Sequence, residues 1–362
     1  MGTATGLVSL LGADPATYAP HAVHVVGDRT YVETNCYADV IIELLHARGD
    51  EPLAAIGSTV RLDFEGDQWT FFKPDPGDLE RLYGVDIHEM QPYRALPDQI
   101  AEQLACGRTM TVELDAWFLP DTAATSYRRE HVKTSVIPEA IDRDGEVLRY
   151  FHNAGLYELR GEDYRGVFRL DGPADGAILP PYVELVRFDA GSRLSGSALR
   201  DAARVLLGRH LALRPATNPF VRFGAALERD LPALRDGDPA LYHAYAFATV
   251  RMVGSGFELL GAEVEWLFGA DGGGHAASDA VAAMSEIVDG CKLLSLKLAR
   301  RRAFDPAPVI DSRAAAWERA TGGLDAALAW AGRPRSSAAR RLRGRRAARG
   351  RCGRDVRAAV FG

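Results

Sequence analysis

The sequence predicts an α+β domain followed by an α-helical domain, and three observations predict it. Helix and strand signals alternate through the first half: "ETNCYADVIIELLH" runs at helical spacing, whereas "RTMTVELDAWFLP" and "HVKTSVIPEAID" read as strands. From about residue 196 the alternation stops and each long segment reads as helix. Between the two, around 172–195, "DGPADGAILPP" has the composition of a linker. The expected division is therefore an α+β domain over 1–180, a helical domain over 190–332 and a basic tail over 333–362.

Taken in order, "HAVHVVGDRTYVE" (21–33) reads as a short hairpin. The helix that follows starts at Thr34–Asn35, both good N-caps, and runs from Cys36 to about Arg48. "VRLDFEGDQWTFFKP" (60–74) is a strand or loop, and "DPGDLERLYG" (75–84) a short helix with Pro76 near its start and Gly84 as its C-cap. "VDIHEMQ" (85–91) alternates like a strand, and "LPDQIAEQLACG" (96–107) is an amphipathic helix ended by Gly107. In the strand over 108–120, Met110, Val112, Leu114, Ala116 and Phe118 share one face. A second strand over 131–142 turns at "RDG" and returns over 146–155, with Pro138 marking an edge or bulge. Beyond 196 there are five or so helices, and the Gly-rich "GADGGGH" (269–275) follows a helix, so it is a loop and not a phosphate cradle.

Composition bounds the chemistry. At 362 residues, 47% hydrophobic and 25% charged, the chain fits a soluble globular protein of two domains. No apolar run approaches the ~20 residues of a membrane span, and "MGTATGLVSLLGADP" lacks the basic start of a signal peptide. Cys36, Cys106, Cys291 and Cys352 lie far apart, without CxxC or finger spacing, which argues for a reducing cytoplasm and against disulfides or structural zinc. The net charge of −6 hides an asymmetry: from Arg333 onward there are eleven arginines and one aspartate, leaving the body at −16. An acidic body argues against a nucleic-acid enzyme. The tail has the charge to meet nucleic acid or an acidic protein, but without aromatic interleaving or apolar periodicity it is read as a disordered extension.

The question for function is why a thiol stands in the first turn of a helix. There the backbone N–H groups favour a thiolate and can hold an oxyanion. Such a nucleophile needs a base, and the base needs an orienting group. Papain-like folds supply them as a cysteine at a helix start, a histidine opening a strand, and an Asn or Asp ending the next strand. Here the order is Cys36, His131 and Asn153, and the last two are 22 apart, the span of two strands of about ten residues joined by a tight turn. Plain readings stand beside these: Cys36 as a buried core residue, His131 as a surface residue, Asn153 as a turn. His152 faces the opposite way from Asn153, so one of the two can meet His131, and Asn153 is taken because His152 would compete as a second base. Asp115 faces away from the apolar side of its strand, to orient His131, to bind a substrate amine, or simply to meet solvent. Asp67, Gln68 and Trp69 form a candidate substrate wall with Gln68 as an oxyanion donor, and Asn35 is a further substrate-binding candidate; an aromatic core segment explains the 64–72 stretch as well. The nine histidines are scattered, and Cys36, His131 and His152 lack a fourth metal ligand.

Together "ETNCYADVIIELLH", "DFEGDQWTFFKP", "VELDAWFLPDTAATSYRREHVKTSVI" and "YFHNAGLYEL" resemble the bacterial family of unknown function numbered 1839, over about residues 20–330. That family is in turn remotely similar to the N-terminal domain of the butirosin-biosynthesis acyltransferase, which takes its acyl group from a carrier protein. The resemblance implies a papain-like domain with a helical domain after it, Cys36 as nucleophile, His131 as base and Asn153 as orienter. Acyltransferase-like sequences tend to have a His beside the cysteine and an Asp as third residue; here Asn35 and Tyr37 flank Cys36. The expected function is a cysteine-dependent acyltransferase moving an acyl or aminoacyl group from a carrier-protein thioester to a small amine or alcohol. It implies no resident cofactor, the acyl group arriving on the phosphopantetheine arm of the carrier protein. A cysteine thioesterase or peptidase, or a non-catalytic carrier-protein-binding module, are the alternatives.

Overall fold

The computed structural model describes residues 6–25, 27, 29–172, 180–189, 193–269 and 274–332. The basic tail with Cys352 and most of the Gly-rich 269–275 stretch lie outside the described residues. After the two-residue strand β1 (Val8–Ser9) comes α1 (Cys36–Ala47). The hairpin expected over 21–33 is not formed among the described residues. That segment holds one 3-10 turn, Ala22–His24, because the His24 ring turns inward to the Asp39 and Glu43 carboxylates of α1 rather than leaving the chain free to pair.

Next come the small hairpin β2 (Phe64–Glu65) and β3 (Gln68–Trp69), then α2 (Pro76–Tyr83), which ends in the left-handed Gly84 as its sequence predicts. β4 (Val85–Met90), α3 (Leu96–Ala105) and β5 (Thr109–Asp115) follow. The strand expected to continue to residue 120 stops at Asp115. The Asp115 carboxylate accepts from the Trp117 amide at 3.0 Å and winds Ala116–Phe118 into a 3-10 turn, so Ala116 and Phe118 leave the strand face. β6 (Lys133–Asp142), β7 (Val147–His152) and β8 (Gly155–Arg160) form a meander, followed by α4 (Glu162–Val167) and β9 (Val183–Phe188).

These strands make one antiparallel sheet in the order β4-β9-β5-β6-β7-β8, with β1 added against β6. The register slips between Pro138 and Ala140, the bulge that the proline predicts. β9 lies within the stretch expected to be a linker. It pairs on both sides, with β4 and with β5, so the sheet region runs to Phe188. α1 lies across β6 and β7 on one face of the sheet, against Ile137 and Phe151. The other face carries a smaller core in which Ile100, Met110, Val112, Leu148 and Tyr164 meet.

The second half is helical: α5 (Gly196–Ala212), α6 (Pro219–Asp236), α7 (Pro239–Tyr245), α8 (Met252–Phe268), α9 (Gly274–Ala299) and α10 (Ala307–Ala331), with a π-helical turn, Ala246–Arg251, joining α7 to α8. Its core is not its own. Leu206, Phe223, Phe257 and Leu260 belong to the same buried cluster as Ile41, Leu44, Leu62 and Leu82 of the first half. Glu258 of α8 accepts from the Thr30 and Tyr31 amides at 2.6 and 2.8 Å across the junction. Among the described residues no helix is long and apolar enough to cross a membrane.

Candidate active site

α1 begins where the two halves meet. Asn35 caps it, its Oδ1 accepting from the Ala38 amide at 2.9 Å while its Nδ2 donates to the Phe72 carbonyl at 3.0 Å. The Asp39 amide reaches the Asn35 carbonyl, so the amides left without an intrahelical partner in this first turn are those of Cys36 and Tyr37. They sit at the positive end of the helix. Cys36 itself is half-buried and is a free thiol.

Asn35, Cys36 and Tyr37 line a cavity of about 920 Å³ whose walls come from both halves. The β5–β6 loop and the head of β6 supply Thr122, Ser126 and Thr134, the end of β7 supplies His152 and Asn153, and the π-helical turn with α7 supplies His243, Phe247 and Arg251. Phe71, Val132 and Phe247 line it as exposed apolar side chains. Arg251 reaches back to Glu33 at 3.5 Å.

From the wall of this cavity, at Thr134 and His152, a buried polar chain runs back to Asp121 and Tyr150. His152 is 1% exposed, and its Nδ1 bonds the Asp121 carboxylate, which also accepts from the Tyr150 hydroxyl at 2.5 Å. The carboxylate accepts from Nδ1–H, and the other ring nitrogen, Nε2, lies 2.8 Å from the Thr134 hydroxyl, with which it shares a hydrogen bond. Burial, followed by the Asp121 charge, pushes the Tyr150 phenol far above its ordinary range, which keeps it a donor. Thr134, His152 and Asp121 thus have the hydroxyl–imidazole–carboxylate connectivity of a nucleophile–base–orienter set.

His131 stands elsewhere. It precedes β6 by two residues, its Nδ1 is 2.6 Å from Asp115, and its ring stacks on Trp117 with centroids 4.5 Å apart. With its side chain 67% exposed it lines a neighbouring hollow of about 370 Å³, with Asp115, Phe118 and Phe168. The hollow and the Cys36 cavity share Glu113, Val132, Lys133 and Tyr182 as a partition. Among the described residues no hydrogen bond joins Cys36 to either histidine.

The structure therefore brings Cys36, Asn35 and Asn153 to one cavity, and His131 and Asp115 to another. The partner of His131 is Asp115 rather than Asn153, because the β7–β8 register puts Asn153 in the tight turn, at φ 45°, directly after His152. Gln68 and Trp69 line neither cavity: Gln68 is exposed on its hairpin, and Trp69 is buried against Phe64, Phe220 and Phe223. Thr134 and Asp121 carried no signal on their own. The signal was available in β7, where Tyr150 and His152 put two polar-tipped rings on the face that the alternation marks as buried.

Two further networks frame α1. On the cavity side the buried Glu184 carboxylate accepts from Tyr37 (2.6 Å), Thr111 (2.8 Å) and Tyr182 (2.9 Å). The Lys73 ammonium lies 3.5 Å from it and 3.9 Å above the Tyr37 ring. Burial alone would raise the Glu184 carboxyl, but these bonds and the Lys73 charge hold it below its ordinary value. Behind the helix, His24 lies between Asp39 and Glu43. Burial disfavours its charge, yet the bonds and charges of the two carboxylates prevail and push it up to about 9. Among the described residues no cluster of three or more His, Cys, Asp or Glu side chains is placed to hold a metal ion.

Residues 19–188 match the family model described as the DUF1839 N-terminal domain, and residues 196–326 the one described as the DUF1839 C-terminal domain. No curated protein matches the chain.

Proposed function

The chain belongs to the DUF1839 family, and on that premise we propose that it is a cysteine-dependent acyltransferase of papain-like layout. The observation that carries the reading is that one cavity receives both a thiol at a helix N-terminus and a buried, carboxylate-oriented imidazole, Cys36 and His152. In this reading the base is His152 with Asp121 behind it, and not His131, whose ring faces the neighbouring hollow.

The Cys36 thiol gives its proton to His152, and the thiolate attacks the carbonyl carbon of a thioester delivered on a carrier-protein arm. The Cys36 and Tyr37 amides hold the oxyanion. Collapse breaks the donor's C–S bond, the departing thiolate takes the proton back from His152, and the acyl group rests on Cys36. A small amine or alcohol then attacks the acyl-enzyme, passes its proton to His152, and leaves with the acyl group as Cys36 regains its hydrogen. Water in the acceptor's place would make the same machinery a thioesterase.

Iodoacetamide labelling of the native protein at neutral pH, read by peptide mass spectrometry, tests the assignment. Cys36 is expected to label faster than the exposed Cys106, and His152→Gln to slow it at least about tenfold, the low end of general-base effects. His131→Gln is expected to leave the rate unchanged; if it were the slowing variant, the base role would return to His131. A Cys36 that stays inert until the protein is denatured would leave a packing cysteine and a carrier-protein-binding module.

A further inference from the structure

Cys36 stands between two tethered residues. Before it, Asn35 caps α1 and donates to the Phe72 carbonyl at 3.0 Å; after it, the Tyr37 hydroxyl crosses to the Glu184 carboxylate of β9 at 2.6 Å. Tyr37 is 5% exposed and Glu184 7%, so water competes little for this bond. Burial, then the bond to Glu184, pushes the Tyr37 phenol far above its ordinary range. The phenol is therefore the donor and the carboxylate the acceptor. Glu184 is itself held in place. Its backbone lies opposite Thr111 of β5 on one side and Glu89 of β4 on the other. The Oε2 that takes Tyr37 also accepts from Thr111 at 2.8 Å, while Oε1 accepts from Tyr182 at 2.9 Å and lies 3.5 Å from the Lys73 ammonium. The first turn is where a helix lacks backbone partners for its amides. Here a side chain fastens that turn to a strand paired on both sides.

Resting on the reading of Cys36 as the nucleophile, we propose that Glu184 is a positioning residue for it. Glu184 grips α1 by the Tyr37 hydroxyl and keeps the first turn wound, so that the thiol meets the cavity at a formed helix N-terminus. The residue it grips also carries one of the two open amides of that turn. Glu184 acts through Tyr37 and touches no reacting atom. Its charge works in the opposite sense, because a carboxylate near a thiol disfavours the thiolate. The Tyr37, Thr111 and Tyr182 hydroxyls and the Lys73 ammonium offset that charge and leave the grip as the larger effect. The two effects have opposite signs, and this makes them separable.

Two variants that keep the Glu184 charge form the central comparison. Tyr37→Phe and Thr111→Val each remove one hydroxyl from the same carboxylate oxygen, and only the first cuts the tie to α1. The readouts are the pH profile of Cys36 labelling by iodoacetamide and the hydrogen–deuterium exchange of the peptide that opens α1. Tyr37→Phe is expected to move the labelling profile to higher pH, to label at least about threefold more slowly at neutral pH, and to speed exchange at the start of α1. Thr111→Val is expected to stay within about twofold of wild type, because the bond it loses bears on stability and not on the helix start. Glu184→Met removes grip and charge together, and slower labelling is expected. Faster labelling in Glu184→Met would show a charge without a grip and would overturn the proposal. So would a Tyr37→Phe protein that matches Thr111→Val in both readouts. A Cys36 that labels in no native form would remove the nucleophile, and this proposal with it. A reactive Cys36 that Tyr37→Phe leaves unchanged would strike the proposal alone.

Discussion

At the residue scale, His24 is a buried side chain whose charge two carboxylates hold in place. It lies at 5% exposure between Asp39 and Glu43, and Tyr18 completes the Glu43 shell. The His24 value is raised from 6.5 to about 9, so its stabilisation is complete below 6.5 and is lost as pH climbs through about 9. Glu43 is held below its ordinary 4.5 by His24 and Tyr18 against the opposing effect of burial, so its contribution is present above that value and lost as pH falls. Urea midpoints are therefore expected to be highest between these limits and to decline on both sides. His24→Gln should cost about 3–5 kcal/mol, the penalty for stranding a buried carboxylate, and should abolish the alkaline decline. An alkaline limb that persisted in the variant would assign it to another group. The sequence marked Cys36 and its helix start but not the His152–Asp121 bond, since period-2 alternation tells which residues share a face without telling which ring meets which carboxylate. Asp121 reaches His152 across the sheet from a loop 31 residues earlier, and no local pattern encodes such a meeting.

At the element scale, the start of α1 depends on Asn35, which caps the helix and ties it to the Phe72 carbonyl. Asn35→Ala is expected to cost about 1 kcal/mol through the lost cap alone. It should also slow Cys36 labelling, because an unwound first turn no longer aims the Cys36 and Tyr37 amides. A loss of stability with unchanged labelling would separate the cap from the site. Elements with strong periodicity or clear punctuation were legible: α1, α2 with Gly84, α3 with Gly107, and the β6–β7 hairpin with its bulge at Pro138. β9 was not, because six residues of strand emerge from a Pro- and Gly-rich stretch whose composition signals a linker. Nor was the end of β5 legible, where the Asp115 side chain captures the Trp117 amide and overrides an alternation that continues on paper.

At the scale of the whole molecule, the halves are two in sequence and one in packing. Denaturant unfolding followed by tryptophan fluorescence and by far-UV circular dichroism is expected to give coincident transitions, and a second, separate transition would contradict the shared core. Gly254 tests the seam directly. A Cβ there would lie 2.7 Å from Tyr31 of the first half and 3.0 Å from Cys291 of α9, crowded from both sides. Gly254→Val should destabilise the entire fold by about 1–3 kcal/mol or more, seen as one shifted transition rather than loss of one half. This division of the core also constrains inheritance. A recombination crossover between the sheet region and the helical region, bringing in a divergent helical partner, would set foreign side chains against Ile41, Leu62 and Leu82. Exchanging the helical half alone is therefore expected to lower stability unless the facing positions of the sheet half are exchanged with it, which the urea midpoints of the two chimaeras would show.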